Sequence, residues 1–320
     1  MLGRHRFYSL NPMSFSSSVS KFNALPGNLK GALTLMVAAL GFALMAALVK
    51  LAGERLHVTQ ILLVRQIIMI AIVMPRVLTH FPGCLRTQRL DLQIIRVCAA
   101  LVAMLAGFYA IINMPLADAM AIGFAKAFFV TIFAIIILHE KVGWRRWAAV
   151  AVGFIGVMVM IQPGTANFNP ISLYALVGSA AAGFVMVIIR KLSETDAPIT
   201  TLSYQAFLVG LAVVIPGVIY WQAPTANEWF TLLAIGAVSY GAQMANIYSY
   251  KWGEASVLAS LDYVRLLYAT LFGYLLFETL PTVYTWIGAA VIIAASLYTV
   301  QRERSKAKAV VIEAKKNAEQ

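Results

Sequence analysis

The sequence predicts an all-α integral membrane protein whose ten transmembrane helices form two inverted repeats of five helices. Composition is the first observation behind this prediction, because 61% of the residues are hydrophobic and only 12% are charged, whereas soluble domains have about 45–50% and about 25%. The second observation is that the apolar residues recur in ten stretches, each close to the roughly 20 residues that a helix needs to cross a bilayer. The third is that the pattern of these stretches repeats along the chain.

The ten apolar stretches are joined by short connections that carry turn-forming residues such as Pro115, Pro198 and Pro281. Helices are expected because the hydrocarbon core offers no water to unpaired backbone groups. Residues 1–30 are predicted to form a disordered cytoplasmic tail, and residues 302–320 a basic cytoplasmic tail. The predicted spans lie near residues 31–51, 57–75, 94–114, 117–138, 144–161, 171–190, 199–220, 229–250, 255–277 and 282–300.

The Lys and Arg residues are distributed unevenly between the connections. Twenty of them lie in the two tails and the even-numbered connections, whereas the odd-numbered connections hold only Arg55. Positive residues collect on the cytoplasmic side of a membrane, so both termini are predicted to face the cytoplasm. The net charge of +12 therefore reflects membrane topology, and no nucleic-acid partner is expected.

An internal repeat accounts for the pattern of spans. A shift of 139 residues overlays the two halves without gaps, which gives a first unit at residues 31–164 and a second at 170–301. Each unit has five spans, an odd number, so the second unit enters the membrane from the opposite side. The aligned pairs are Tyr109 with Tyr248, Lys126 with Arg265, Thr131 with Thr270, Phe133 with Phe272 and Trp147 with Trp286.

Two segments, residues 117–164 and 255–302, carry a set of recognisable features. They are a small-residue helix start at Ala117, Glu140 at the end of that helix, a basic Trp-Arg-Arg-Trp turn at 144–147, a Gly-Phe-Ile-Gly helix ending in Pro163 and Gly164, and the run from Asp262 to Leu266 in the second copy. These features resemble the second part of an EamA domain, the repeat unit of the drug/metabolite transporter superfamily. The first segment departs from the family where His139 replaces the usual Gly, and the second where Glu278 lies one position early.

This resemblance implies a secondary transporter that moves a small organic metabolite across the bacterial cytoplasmic (inner) membrane by alternating access. The motifs are most similar to those of riboflavin importers and S-adenosylmethionine carriers. The expected substrate is therefore a riboflavin-like vitamin, with S-adenosylmethionine transport or an amino-acid or metabolite exchanger or exporter as alternatives. The implied partners are the metabolite and the lipid bilayer, a homodimer is left open, and no cofactor is expected.

Three charged residues inside the spans are candidates for substrate binding. Lys126 lies about nine residues into the fourth span and Arg265 about ten into the ninth, which places both roughly 14–15 Å deep, near mid-membrane. Asp262 precedes Arg265 by three residues, so the two side chains can pair on one helix face. They would form either a cationic substrate pocket or an internal ion pair that holds helices together.

A polar face on the eighth span is a second candidate, because Ser239, Gln243, Asn246 and Tyr250 follow the spacing i, i+4, i+7 and i+11. These groups would line a cavity or form interhelical hydrogen bonds. Tyr109 is a candidate for stacking on a planar ligand. Arg65 in the second span is expected to snorkel to the interface or to cap neighbouring carbonyls.

A membrane-embedded enzyme is the alternative from another functional class. It would need a paired catalytic set such as His-Glu-x-x-His or Gly-x-Ser-x-Gly, and the sequence contains neither. No catalytic residue and no metal ligand is therefore predicted, and a transporter is the favoured class.

Overall fold

The computed structural model describes residues 25–79, 81, 85–138, 144–192, 194–252, 258, 261–295 and 297–298. These residues form helices and connections, and none of them lies in a strand. The C-terminal tail, residues 1–24 of the N-terminal tail, and His139 and Glu140 lie outside the described residues.

Eleven helices lie within the described part of the chain, and their bounds agree with the predicted spans to within a few residues at most ends. They are α1 Gly27–Ala52, α2 Val58–Thr79, α3 Leu90–Asn113, α4 Leu116–Gly123, α5 Lys126–Leu138, α6 Trp144–Ile161, α7 Ile171–Leu192, α8 Pro198–Ile219, α9 Ala226–Trp252, α10 Val264–Phe277 and α11 Val283–Ala295.

The helices have the length and composition of a multi-pass membrane protein. Seven stretches among the described residues are long and apolar enough to cross a bilayer, with α4 and α5 counted together, and three shorter apolar helices accompany them. On α8 the side chains of Leu211, Ile215 and Ile219 are 69–70% exposed, and their i, i+4, i+8 spacing makes one apolar stripe. An exposed apolar stripe of this kind is suited to contact with lipid. The predicted all-α membrane fold is therefore confirmed.

The fourth predicted span is found as one apolar stretch, Leu116–Leu138, with a tight turn inside it. α4 ends at Gly123 and α5 begins at Lys126, because the backbone tightens to i→i+3 bonds from Phe124 N to Ala121 O at 3.1 Å and from Ala125 N to Ile122 O at 2.9 Å. Lys126 is therefore the first residue after the turn.

The ninth predicted span also contains a turn near its charged residues. Asp262 and Tyr263 form this turn, and α10 begins directly after it at Val264. A backbone bond from Arg265 N to Asp262 O at 3.1 Å closes it. Short segments of this kind within membrane helices are frequent where helices bend or ligands bind.

Small residues bring the central helices into close contact. A Cβ added at Gly41 of α1 would lie 2.9 Å from the Cβ of Ala242 on α9, and one added at Gly178 of α7 would lie 3.0 Å from the backbone nitrogen of Gly107 on α3. Small residues are the usual means of close helix packing in membranes. The alanine stripe of α1 follows the same rule, because Ala39, Ala43 and Ala47 are fully buried.

Hydrogen bonds and an ion pair join the connections at one end of the bundle, where α1 ends and α9 begins. Arg55 forms an ion pair with Glu228 and donates to the Ala223 carbonyl at 2.8 Å. The side chain of Gln60 bonds the backbone of Gln222 twice, at 2.7 and 3.0 Å. We call this the Arg55 end; it is the end that the sequence predicts to lie outside the cytoplasm.

Lys50, at the same end of the bundle, caps helix α3. Its ammonium group donates to the carbonyls of Met114 at 2.7 Å, Ile112 at 3.1 Å and Ile111 at 3.3 Å. A cation at this position complements the unpaired carbonyls of a helix C-terminus. The contact fixes the end of α3 next to the start of α4.

Candidate functional site

A cavity of about 450 Å³ lies in the middle of the helix bundle, within the size range of small-molecule sites. Residues of α1, α3, α4, α5, α7, α8, α9 and α10, with Phe124 of the turn after α4, form its wall, so both halves of the chain contribute. Most of the lining is apolar or small. Its polar members are Lys126, Ser179, Gln205, Gln243 and Arg265.

Lys126 and Arg265 share one carboxylate at the edge of this central cavity. The Arg265 guanidinium donates to Asp262 at 2.8 Å, and the Lys126 ammonium lies 3.9 Å from the other oxygen of the same carboxylate. The pairing expected from the spacing of Asp262 and Arg265 is confirmed. Lys126, Asp262 and Arg265 together carry two positive charges and one negative charge. Their excess positive charge can attract electron-rich groups of a ligand.

The guanidinium of Arg265 is also placed against an aromatic ring. Its central carbon lies 4.5 Å from the centroid of the Phe42 ring, which is a favourable cation–π distance. Its Nε is buried and has no hydrogen-bond partner among the described residues. A buried donor without a partner is costly, and an acceptor on a ligand in the cavity would relieve that cost.

Aromatic side chains form part of the cavity wall. Phe42, Phe108 and Phe124 line it, and the ring of Tyr263 lies 5.0 Å from that of Phe124. Tyr109 lies outside this lining, where its ring packs 4.7 Å from Tyr174. Among the described residues, the flat surfaces offered to a ligand therefore come from phenylalanines.

The four residues of the predicted polar face on α9 have different surroundings. Gln243 lines the central cavity. Ser239 is fully buried and accepts a hydrogen bond from Arg65 Nε at 3.1 Å, whereas Asn246 is half-buried and its backbone carbonyl accepts a bond from the Ser249 hydroxyl at 2.7 Å. The side chain of Tyr250 lies outside the described part of the chain.

Arg65 corrects the interpretation favoured from the sequence. It is buried, and it donates to Ser239 at 3.1 Å and to the Gln66 side chain at 2.8 Å instead of reaching an interface or capping carbonyls. Its other neighbour is the sulfur of Met104 at 4.0 Å, and Met104 lines the cavity. The Arg65 side chain therefore lies directly behind the cavity wall.

Arg96 is a functional candidate that the predicted topology placed in a connection. It lies in α3, is fully buried, and donates to Gln205 Oε1 at 2.9 Å and to the Thr201 carbonyl at 2.8 Å. Gln205 in turn lines the cavity. The only signal in the sequence for a buried Arg96 was Gln93, which lies three residues earlier on the same helix face. The Gln93 side-chain oxygen accepts a hydrogen bond from Arg96 Nε at 3.3 Å.

Asp196 anchors this polar network at the end of the bundle opposite Arg55. Gln93 donates to its carboxylate at 2.7 Å and Thr87 at 2.5 Å. Burial raises the pKa of Asp196, but the bonds from Thr87, Gln93 and Thr195 outweigh burial and hold the pKa below its usual range. The described residues contain no cluster of His, Cys, Asp or Glu suited to a metal ion.

Comparison with known proteins identifies a matching family and related transporters. The model of the EamA-like transporter family matches residues 29–162 and again residues 169–301. The riboflavin transporter of Vibrio cholerae is 30% identical over 288 residues, which cover 88% of this chain and 96% of that protein. The S-adenosylmethionine uptake transporter of Rickettsia prowazekii is 26% identical over 255 residues, covering 80% and 87%.

A solved crystal structure also resembles this fold. It is 16% identical in sequence, has a TM-score of 0.59, and the match covers 87% of this chain and 99% of that one. At this identity the likeness concerns the arrangement of helices alone.

Proposed function

The chain belongs to the EamA-like transporter family, and from this membership we propose that it carries a riboflavin-like vitamin through the central cavity. Its relatives are transporters rather than enzymes, and the chain is a transporter of small metabolites. The choice of substrate rests on one observation: the excess positive charge of Lys126, Asp262 and Arg265 lies beside a mostly apolar wall that contains three phenylalanine rings.

The chemistry of the two candidate substrates separates them. Riboflavin is an uncharged planar ring system with carbonyl and ring-nitrogen acceptors and a polyhydroxyl chain, so its ring suits phenylalanine faces and its acceptors suit Arg265 and Lys126. S-adenosylmethionine carries a sulfonium and an amino group against one carboxylate. Its net positive charge would meet the excess positive charge of the site, and like charges in a site of low polarity repel.

The roles of the candidate residues follow from this assignment. Lys126 and Arg265 would bind acceptors of the substrate, Asp262 would hold Arg265 while the site is empty, and Gln243 would bind the substrate from α9. Ser239 would support the site from behind through its bond to Arg65, while Asn246, Tyr109 and Tyr250 remain substrate-binding predictions from the sequence.

The ten-helix inverted repeat with units at 31–164 and 170–301 is part of the proposal. Three observations support it. The family model matches two successive stretches of the chain, and both halves contain a turn next to Lys126 or Arg265. Gln66 Nε2 also lies 3.4 Å from the carbonyl of Gln205, and these two residues are separated by the 139 positions of the repeat shift. Alternating access would then occur between the repeats. Cytoplasmic termini, the inner membrane and a homodimer remain predictions.

Uptake into proteoliposomes tests the substrate. We expect saturable uptake of radiolabelled riboflavin that excess unlabelled riboflavin abolishes and excess S-adenosylmethionine leaves unchanged. Phe42→Leu should raise KM about three- to tenfold, because a stacked aromatic contact contributes about 0.5–1.5 kcal/mol. Leu40→Ala, a change at a 40% exposed side chain two residues away, is the matched control. Saturable uptake of S-adenosylmethionine with no uptake of riboflavin would overturn the proposal.

A further inference from the structure

A second cavity, of about 420 Å³, lies beside the central one toward the Arg55 end of the bundle. It is formed where α3 and α6 end and where α4, α7 and α11 begin. Asp118 is the only charged residue among the described residues of its lining, and amide and hydroxyl groups supply most of the other polar atoms. They include Gln162, Asn167, Asn169, Ser172, Thr282 and Thr285.

Within the described part of the chain, the side-chain partner of Asp118 is neutral. The Thr285 hydroxyl donates to its carboxylate at 2.7 Å, and Thr285 is itself 2.9 Å from the Thr282 hydroxyl. None of the ion pairs between described residues involves Asp118. Its charge is therefore available to hydrogen-bond donors in the cavity, and this polarity is opposite to that of the central cavity.

One short helix separates the two cavities. α4 presents Asp118 and Ile122 to the second cavity, and Ala119 and Gly123 to the central one. The wall is closed where the Ser179 hydroxyl of α7 lies 3.1 Å from the Ile122 carbonyl and 2.7 Å from the Ala175 carbonyl of its own helix. Ile122 is 2% exposed, so it fills the space between the cavities.

A single face of α7 connects the two spaces. Ser172 lines the second cavity, whereas Ala175, Gly178 and Ser179 line the central one. A separation of three residues along a helix is about 4.5 Å. A molecule that leaves one cavity along α7 thus enters the other after about one turn, provided that α4 moves aside.

The ends of α4 are suited to such movement. It has eight residues, extended backbone at Met114 and Pro115 precedes it, and the tight turn at Phe124 and Ala125 follows it. It contacts α7 and α10 of the second half of the chain and α1, α3 and α6 of the first half. Five of its eight residues are buried, so a shift of α4 would require these neighbours to adjust, and it would open the partition without unfolding a long helix.

We propose that the second cavity is a staging site for the transported molecule, where Asp118 and its neighbours bind hydroxyl or amino groups, and that α4 is the movable partition before the central cavity. This inference rests on the proposed function. For a riboflavin-like substrate the polyhydroxyl chain is the part recognised here, and the ring is the part recognised in the central cavity.

Cysteine labelling tests the site without depending on substrate identity. In a background with Cys84→Ser and Cys98→Ser, we compare Ser172→Cys with Leu173→Cys, the adjacent residue that lies outside the lining and is 47% exposed. The reagents are membrane-impermeant thiosulfonates, one cationic and one anionic. At position 172 the cationic reagent should react about five- to tenfold faster than the anionic one, since a nearby carboxylate without a cationic partner attracts it, and Asp118→Asn should remove this preference. Position 173 should show no preference.

Transport supplies the second readout. The Ser172→Cys protein should lose riboflavin uptake at least tenfold once it carries the label, the labelled Leu173→Cys protein should keep it, and saturating riboflavin should slow the labelling at position 172. The staging site would be overturned if both reagents labelled position 172 at equal rates with or without Asp118. Full uptake by the labelled Ser172→Cys protein would overturn it as well. Absence of riboflavin uptake by the unlabelled wild-type protein would overturn the proposed function instead, and the charge preference at position 172 would still decide the second-cavity proposal.

Discussion

Asp262 accepts a hydrogen bond from Arg265 at 2.8 Å from within the turn that precedes α10, while the Lys126 ammonium of α5 lies 3.9 Å away on its other side. One carboxylate thereby joins the starts of α5 and α10, which belong to opposite halves of the chain. Both side chains of the Asp262–Arg265 pair are less than one-fifth exposed, so breaking the pair leaves a buried charge without its partner.

The first prediction concerns this group. Arg265→Gln and Lys126→Gln should each abolish uptake while the protein remains in the membrane, because each removes a substrate-facing cation. Asp262→Asn alone should lower stability by roughly 3 kcal/mol, the lower range for removing one member of a buried pair. Uptake and thermal unfolding in detergent measure the two effects.

The double variant Asp262→Asn, Arg265→Gln separates a functional group from a structural one. It leaves neither charge of that pair unpaired but removes the carboxylate that faces Lys126, so stability should recover in part while uptake stays absent. A double variant that regains uptake would show that the pair serves the fold alone.

The second prediction concerns the support of Arg65. Ser239→Ala removes the acceptor of Arg65 Nε and leaves a buried donor unpaired, which should lower the free energy of unfolding by about 1–3 kcal/mol. Asn246→Ala, on the same face of α9 and half-buried, is the matched control and should change it little. Equal melting temperatures for the two variants would contradict the assignment.

A third prediction follows from the lowered pKa of Asp196. A carboxyl whose pKa is lower in the folded than in the unfolded protein stabilises the fold above its unfolded pKa, about 3.9 for Asp, and this stabilisation is lost as pH falls through the folded pKa. Asp196→Asn should therefore be less stable than wild type at neutral pH, and the difference should narrow as pH falls below about 4.

Melting temperatures of purified protein across that pH range check the third prediction. Thr87→Ala removes only one of the donors to Asp196 and should give a smaller loss at neutral pH. If the difference in melting temperature between wild type and Asp196→Asn stays constant with pH, titration of the Asp196 carboxylate is excluded as the cause of that difference.

Local patterns predicted much of this molecule. Apolar stretches indicated the helices, because in a bilayer the backbone has few other ways to satisfy its polar groups. The spacing of Asp262 and Arg265 indicated their ion pair, because neighbours three apart on a helical turn are within reach.

Features that depend on distant contacts were not predicted. The turn between α4 and α5 contains no proline, and Gly123, which precedes it, did not mark it because glycine is frequent within membrane helices. Arg96 reaches Gln205 across 109 positions, and Arg65 reaches Ser239 across 174, and no helical period encodes such distances. The second cavity has the same origin, since its lining comes from helix ends far apart in the chain.

The last prediction concerns Arg55 and Glu228, which join the α1–α2 connection to the start of α9. Because the pair is partly exposed, it should contribute little to stability, and its role would be to hold the Arg55 end closed. Arg55→Glu places two like charges together and should favour the state that is open at this end. An Ala175→Cys probe in the central cavity, in the background without Cys84 and Cys98, should then react faster with impermeant thiol reagents.

Arg55→Glu combined with Glu228→Arg restores the attraction and should return the labelling rate toward that of wild type. Labelling that is unchanged by Arg55→Glu, or that the charge exchange fails to restore, would show that the pair does not control access from this end.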